Sequence, residues 1–171
     1  MRLPHKLCFV LAALSIAQAG YYYPRLPDTI ASHFDGAGVA NDWSSPAGFF
    51  AVVLLVVMLN LVIFVGVPRL MIADKLGVNL PHRDYWLTPE RRGETLARIA
   101  DFLGWLGVAS LLLAIAVVQL VMDANFARAP LSPGIGWLLF AYFVYVLVSL
   151  ARLFWRFRKP LENDSPQRGR R

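Results

Sequence analysis

Four long stretches of the chain are almost free of charged side chains: Leu7 to Tyr23, Ala47 to Pro68, Ile99 to Met122, and Ile135 to about Phe157. Apolar residues fill these stretches continuously, without the spacing of an amphipathic helix or the alternation of a half-buried strand. Such runs suit a lipid solvent. A helix rises about 1.5 Å per residue, so roughly 20 residues cross a hydrocarbon core of about 30 Å. All four runs approach or reach that length. The pattern predicts an all-α membrane protein, a four-transmembrane-helix bundle forming one domain over residues 1–160. Its longer connections are the segments 24–46 and 69–98. The tail 161–171 is rich in polar residues, Pro, Ser and Gly, and predicts disorder.

Composition agrees with this reading. A chain of 171 residues with 57% apolar content, mean hydropathy +0.52 and 16% charge holds more apolar surface than a small soluble core can bury. The net charge of +6 raises the question of nucleic acid, and the distribution of the cations answers it. Fifteen of the 17 basic residues lie before the first run, between the second and third, or at the end of the fourth and beyond. Only Arg25 and Arg128 fall in the other two connections. Cations are held back on the cytoplasmic side, so both termini and the loop 69–98 are expected in the cytoplasm and the loop 24–46 outside. The implied setting is a membrane crossed several times, with the lipid bilayer as partner and no nucleic acid. Tyr21, Tyr22, Tyr23, Trp43 and Trp137 on one side, and Trp155 on the other, suit interfacial belts. A rival reading takes Arg2, Lys6, the first apolar run and Ala17-Gln18-Ala19 as a cleavable secretory signal, which would leave three helices. Cys8, the one cysteine, is expected to be a small apolar filler.

The segment from Tyr23 to Trp43 is the most distinctive text. Pro24 and Pro27 fix an extended exit from the first helix, Asp28 and Thr29 start a turn, and Gly36 and Gly38 permit a tight reversal. His33 and Asp35, with Asp28 and Asp42 nearby, supply an imidazole and carboxylates. Three uses compete for them: turn capping and packing, recognition of a small or peptidic ligand, and a divalent metal. Their spacing matches no closed zinc site, and neither a metal nor another cofactor is expected.

The run Tyr-Pro-x-Leu-Pro-Asp-x-Ile-x-x-His-Phe-Asp-x-x-Gly, from Tyr23 to Gly38, followed by Trp43 and a second apolar stretch, resembles domain of unknown function 1648 of SdpI-type bacterial membrane proteins. The resemblance covers roughly Leu11 to Asn60. It is carried by Pro24, Leu26, Pro27, Asp28, Ile30, His33, Phe34, Asp35, Gly38 and Trp43, while Ala31 stands where relatives usually have proline. It implies a small multi-helix membrane protein of bacteria, some of whose relatives confer immunity against a membrane-active toxin peptide. Asn79 to Arg92 also looks like a segment of some proteins in that family.

In the second long loop, Thr88 followed by Pro89 and Glu90 predicts the start of the third helix well before its apolar run. Glu94 and Arg98 are spaced for an i, i+4 pair. Tyr85 and Trp86 among arginines suit contact with an anionic membrane surface. Three polar residues fall within or at the edge of the apolar runs. Asn60 and Gln119 are expected to hydrogen-bond neighbouring helices, and Asp101 to pair with a base or face the head groups. Small residues, Ala13, Ala17 and Gly20 on the first helix and Gly107, Ser110 and Ala114 on the third, suggest packing seams. The motifs of nucleophilic, phosphate-binding and zinc enzymes are absent. The expectation is a non-enzymatic protein whose outside loop recognises a peptide, a small ligand or a membrane-protein partner. An oligomeric transporter or channel subunit, and a membrane enzyme, are the alternatives.

Overall fold

The computed structural model describes residues 1–158, so the expected disorder of 161–171 lies outside the described residues. Four helical spans are long and apolar enough to cross a membrane: Leu3–Arg25, Pro46–Ile72, Pro89–Ala127 and Gly134–Arg156. The chain is a multi-pass membrane protein, mostly helical. Helix α1 is Leu3–Tyr22, continued by a 3-10 turn at Tyr23–Arg25. A β-hairpin follows, β1 Ile30–Phe34 and β2 Ala40–Ser44, where the sequence predicted only turns. The second span is α2, Pro46–Leu61, a π-helical turn at Val62–Gly66, and α3, Val67–Ile72. A short α4, Arg83–Trp86, precedes α5, Pro89–Ala127, and α6 is Gly134–Arg156.

Each boundary has a local cause. Ser45 caps α2, its hydroxyl accepting from Gly48 N–H, with Pro46 in the first turn. In the π turn, Val67 N–H reaches back five residues to Val62 O. Pro68, which has no N–H for the carbonyl four residues earlier, follows at once. Helix α5 begins at Pro89 after Thr88, as predicted, but the Thr88 hydroxyl does not cap the backbone. The Glu90 carboxyl is held below its ordinary pKa by its own backbone N–H and then by the Thr88 hydroxyl, both donating to it. The predicted Glu94–Arg98 pair forms. At its far end α5 stops in a Schellman motif: Ala129 N–H bonds Ala124 O at 3.1 Å and Arg128 N–H bonds Asn125 O at 3.4 Å.

Helix α1 packs along α5 through Cys8, Ala12, Ser15 and Ala19. Ala13, Ala17 and Gly20 instead face outward, which corrects the predicted seam by one position. The reason is the absence of a polar face: a helix apolar all round gives no phase, so only its neighbour decides which side is inside. On α5 the expected seam does include Gly107, where a Cβ would lie 2.6 Å from Phe64 Cβ and 3.1 Å from Cys8 Sγ. Cys8 is fully buried there as the predicted filler. Large apolar side chains such as Val52, Leu55, Phe143 and Phe154 face outward toward lipid.

The polar residues within the bundle divide. Gln119 joins the helices as expected: its Oε1 accepts from Gln18 Nε2 at 3.3 Å and Tyr22 Oη at 3.0 Å, and its Nε2 donates to Asp123 at 2.9 Å. Asp101 pairs with Arg2, tying the start of α1 to α5. Asn60 departs from expectation, because its buried Oδ1 has no hydrogen-bond partner among the described residues. At the end of the bundle carrying most basic residues, Trp86 pins α4 between its neighbours. Its indole N–H donates to Phe157 O at 3.2 Å, while its own carbonyl accepts from the Thr95 hydroxyl at 2.9 Å. Trp86 is therefore half-buried in protein contacts, and Tyr85 stacks under Arg91 at 3.9 Å.

Candidate functional site

The hairpin is built by its own polar residues. Asp35 accepts from Ala37 N–H and Val39 N–H, both at 2.9 Å, and Gly38 adopts φ +79°, the left-handed conformation that reverses the chain. His33 Nδ1 lies 2.6 Å from Asn41 Oδ1 across the strands, and Asp42 accepts from Trp43 N–H at 2.8 Å. The strands pair antiparallel with Ile30 opposite Ser44 and Ala31 opposite Trp43, and the register is irregular around His33. His33, Asp35 and Asp42 thus serve separate local positions instead of converging. Among the described residues, no three His, Cys, Asp or Glu side chains gather as a metal site.

Two polar clamps and one apolar plug hold the hairpin on the helices. Asn125 of α5 acts like a strand residue: its Oδ1 accepts from Ala31 N–H at 2.8 Å and its Nδ2 donates to Ala31 O at 3.0 Å. Its second Nδ2 hydrogen goes to Val121 O at 2.9 Å, so the whole amide is engaged and its orientation is fixed. On the other side, Leu131 N–H donates to Gly38 O at 2.8 Å. A Cβ at Gly38 would meet Leu131 O at 2.8 Å, so this approach requires glycine. Ile30 plugs the helices beneath, buried with Phe50, Val118 and Met122, with Leu26, Phe34 and Leu131 packed around them. Full burial of such a side chain contributes about 1.5–3 kcal/mol.

Between hairpin and helix end this arrangement leaves a cleft of about 420 Å³. Phe34, Val39 and Trp43 form its hairpin wall, and Asn125, Arg128 and Pro130 the opposite one. Trp43 is 57% exposed, leaving most of its indole available at the rim. Arg128 is the one ionisable side chain lining the cleft, and it stands at φ +50° in the position where helix ends favour glycine. That conformation costs a residue with a Cβ roughly 1 kcal/mol.

Of the motif residues, Pro27, Phe34 and Trp43 line the cleft, and Leu26, Ile30 and Gly38 hold the hairpin that forms it. Pro24 borders a separate apolar groove between α1 and α2. Asp28, His33 and Asp35 are exposed, His33 and Asp35 within the hairpin's own bonds. Sequence reasoning did not reach Asn125 and Arg128, which lie about ninety residues further on. The only hint was Arg128 as one of two cations on that side of the chain. Residues 10–59 match the family model described as Domain of unknown function (DUF1648), which contains the whole motif and most of the first two spans. No curated protein and no solved structure matches the chain.

Proposed function

We propose that this is a non-catalytic receptor-like protein of a bacterial inner membrane whose hairpin cleft, on the outer side, binds a peptide or amphipathic small ligand through an apolar segment and an anionic group. The carrying observation is the cleft itself, with Phe34, Val39 and Trp43 facing Arg128. Its walls suit an apolar body, and a single guanidinium at one edge suits a carboxylate, such as a peptide C-terminus or acidic side chain. The strained conformation of Arg128 supports selection for that charge. The DUF1648 match over the hairpin supports a role for this element, and the resemblance to SdpI-type proteins favours a membrane-active peptide as the ligand class. The lopsided distribution of basic residues supports both termini and residues 69–98 in the cytoplasm and the hairpin outside.

The test begins with orientation. In a Cys8→Ala background, a membrane-impermeant maleimide applied to intact cells should label Ser45→Cys and spare Asp84→Cys; the reverse pattern would sink the outward-facing site. A photoreactive phenylalanine analogue at position 43 should then capture a peptidic adduct in cells. Arg128→Gly is the informative variant, because it relieves the strained cap while removing the cation. Stability maintained or raised with loss of the adduct supports the reading, whereas an adduct unaffected by Arg128→Gly refutes the recognition role of the charge.

A further inference from the structure

The side that α6 turns toward α5 is its polar one. Tyr142, Tyr145, Ser149, Arg152 and Arg156 recur at three- and four-residue steps and therefore share one face. The Tyr142 hydroxyl lies 2.8 Å from Ser110 Oγ, which fixes that face against α5. Trp137, Phe140, Phe143 and Phe154 point away and are exposed. No residue of α6 is buried, so the polar face is not closed by packing. Below the Tyr142 contact the helices part, leaving a groove of about 530 Å³ lined by Arg98 and Trp105 of α5 and by Tyr145, Ser149, Arg152 and Arg156 of α6.

The charge of this groove is unbalanced. Asp101 also lines it, but that carboxylate is paired with Arg2 of α1, and Arg98 is paired with Glu94. Among the described residues, no carboxylate lies within ion-pair distance of Arg152 or Arg156. Depth adds a further constraint. Arg152 stands eighteen residues after Gly134, where α6 begins. That is roughly 27 Å along the helix, close to the thickness of the hydrocarbon core, so the guanidiniums sit at head-group level while Trp105 and Tyr145 lie further in.

We propose that this groove is a binding site for an anionic phospholipid, with its phosphate held by Arg152 and Arg156 and an acyl chain running along Trp105 and Tyr145. Charge complementarity and depth together select this occupant. A basic pocket between transmembrane helices at the head-group level meets lipid phosphate at high local concentration, and the apolar half of the groove continues into the chain region. The inference is independent of the hairpin cleft, which lies at the other end of the bundle.

Native mass spectrometry of the delipidated full chain in detergent tests it, with dioleoyl-phosphatidylglycerol and dioleoyl-phosphatidylcholine added in turn. The expected result is retention of phosphatidylglycerol at least about tenfold tighter than phosphatidylcholine, whose trimethylammonium group neutralises its own phosphate and brings a cation against Arg152 and Arg156. That preference should vanish in Arg152→Gln/Arg156→Gln, survive largely in Arg152→Lys/Arg156→Lys, and be unchanged in Arg158→Gln, which lies outside the groove. Equal retention of both lipids by the wild-type chain overturns the proposal, whether or not the glutamine variant folds. So does displacement of phosphatidylglycerol by inorganic phosphate, which would mark a free-anion site, or a dimer that forms in place of lipid binding and is broken by the glutamine variant.

Discussion

Replacing Asn125 by alanine removes the two hydrogen bonds that join Ala31 of the hairpin to α5, at 2.8 and 3.0 Å. Each such bond contributes about 0.5–1.5 kcal/mol net, so the pair accounts for about 1–3 kcal/mol of hairpin docking. The third bond, to Val121 O, stays within the helix and its loss should matter little. Ile30, the Gly38–Leu131 contact and the helical packing are untouched, so the effect should be local opening of residues 30–44 with global stability nearly unchanged. Hydrogen exchange on the full chain in lipid nanodiscs reads this directly. The Ala31 amide should exchange about 5- to 150-fold faster, the factor equivalent to 1–3 kcal/mol, while amides in the middle of α5 keep their protection. Asn125→Asp sharpens the test. Aspartate keeps the acceptor for Ala31 N–H but turns a carboxylate oxygen toward the carbonyls of Ala31 and Val121, so at neutral pH it should loosen the hairpin more than alanine does. Unchanged Ala31 protection in both variants, or aspartate milder than alanine, would refute the view that this amide serves as an extra strand edge.

Three other outcomes follow from the same contacts. Gly38→Ala meets two costs, a left-handed backbone and a Cβ 2.8 Å from Leu131 O, and should weaken hairpin docking by about 1–3 kcal/mol, measured as faster proteolysis of the 30–44 segment. Gly107→Val should destabilise the bundle by about 1–3 kcal/mol through overpacking against Phe64 and Cys8, read from steric-trapping or denaturant unfolding in micelles, whereas Gly20→Val should change stability little because nothing lies within 4 Å of its Cβ. The lowered pKa of Glu90 means that its bonds from its own N–H and from Thr88 favour the start of α5 when ionised; this contribution is present above the ordinary value of 4.5 and is lost as pH falls through the lower folded value, so exchange at residues 90–93 should rise there in the wild-type chain but not in Glu90→Gln.

By itself the sequence marked four helices apolar enough to cross a membrane and the place where α5 starts, since both follow from local chemistry: unbroken apolar runs and the Thr88-Pro89 start signal. It also isolated the 24–46 loop as the distinctive segment, and the DUF1648 match falls on it. The strands were not legible because Ile30–Phe34 and Ala40–Ser44 are short and mixed in polarity, and a two-stranded hairpin in water is marginal without support. That support is tertiary, coming from Asn125, Leu131 and the helix cluster around Ile30. The same holds for which face of α1 turns inward and for the placing of Trp43 and Arg128 on one cleft. Helices solvated by lipid on all sides carry no phase in their apolar pattern, so only the contacts between distant segments fix rotation and assemble a cleft.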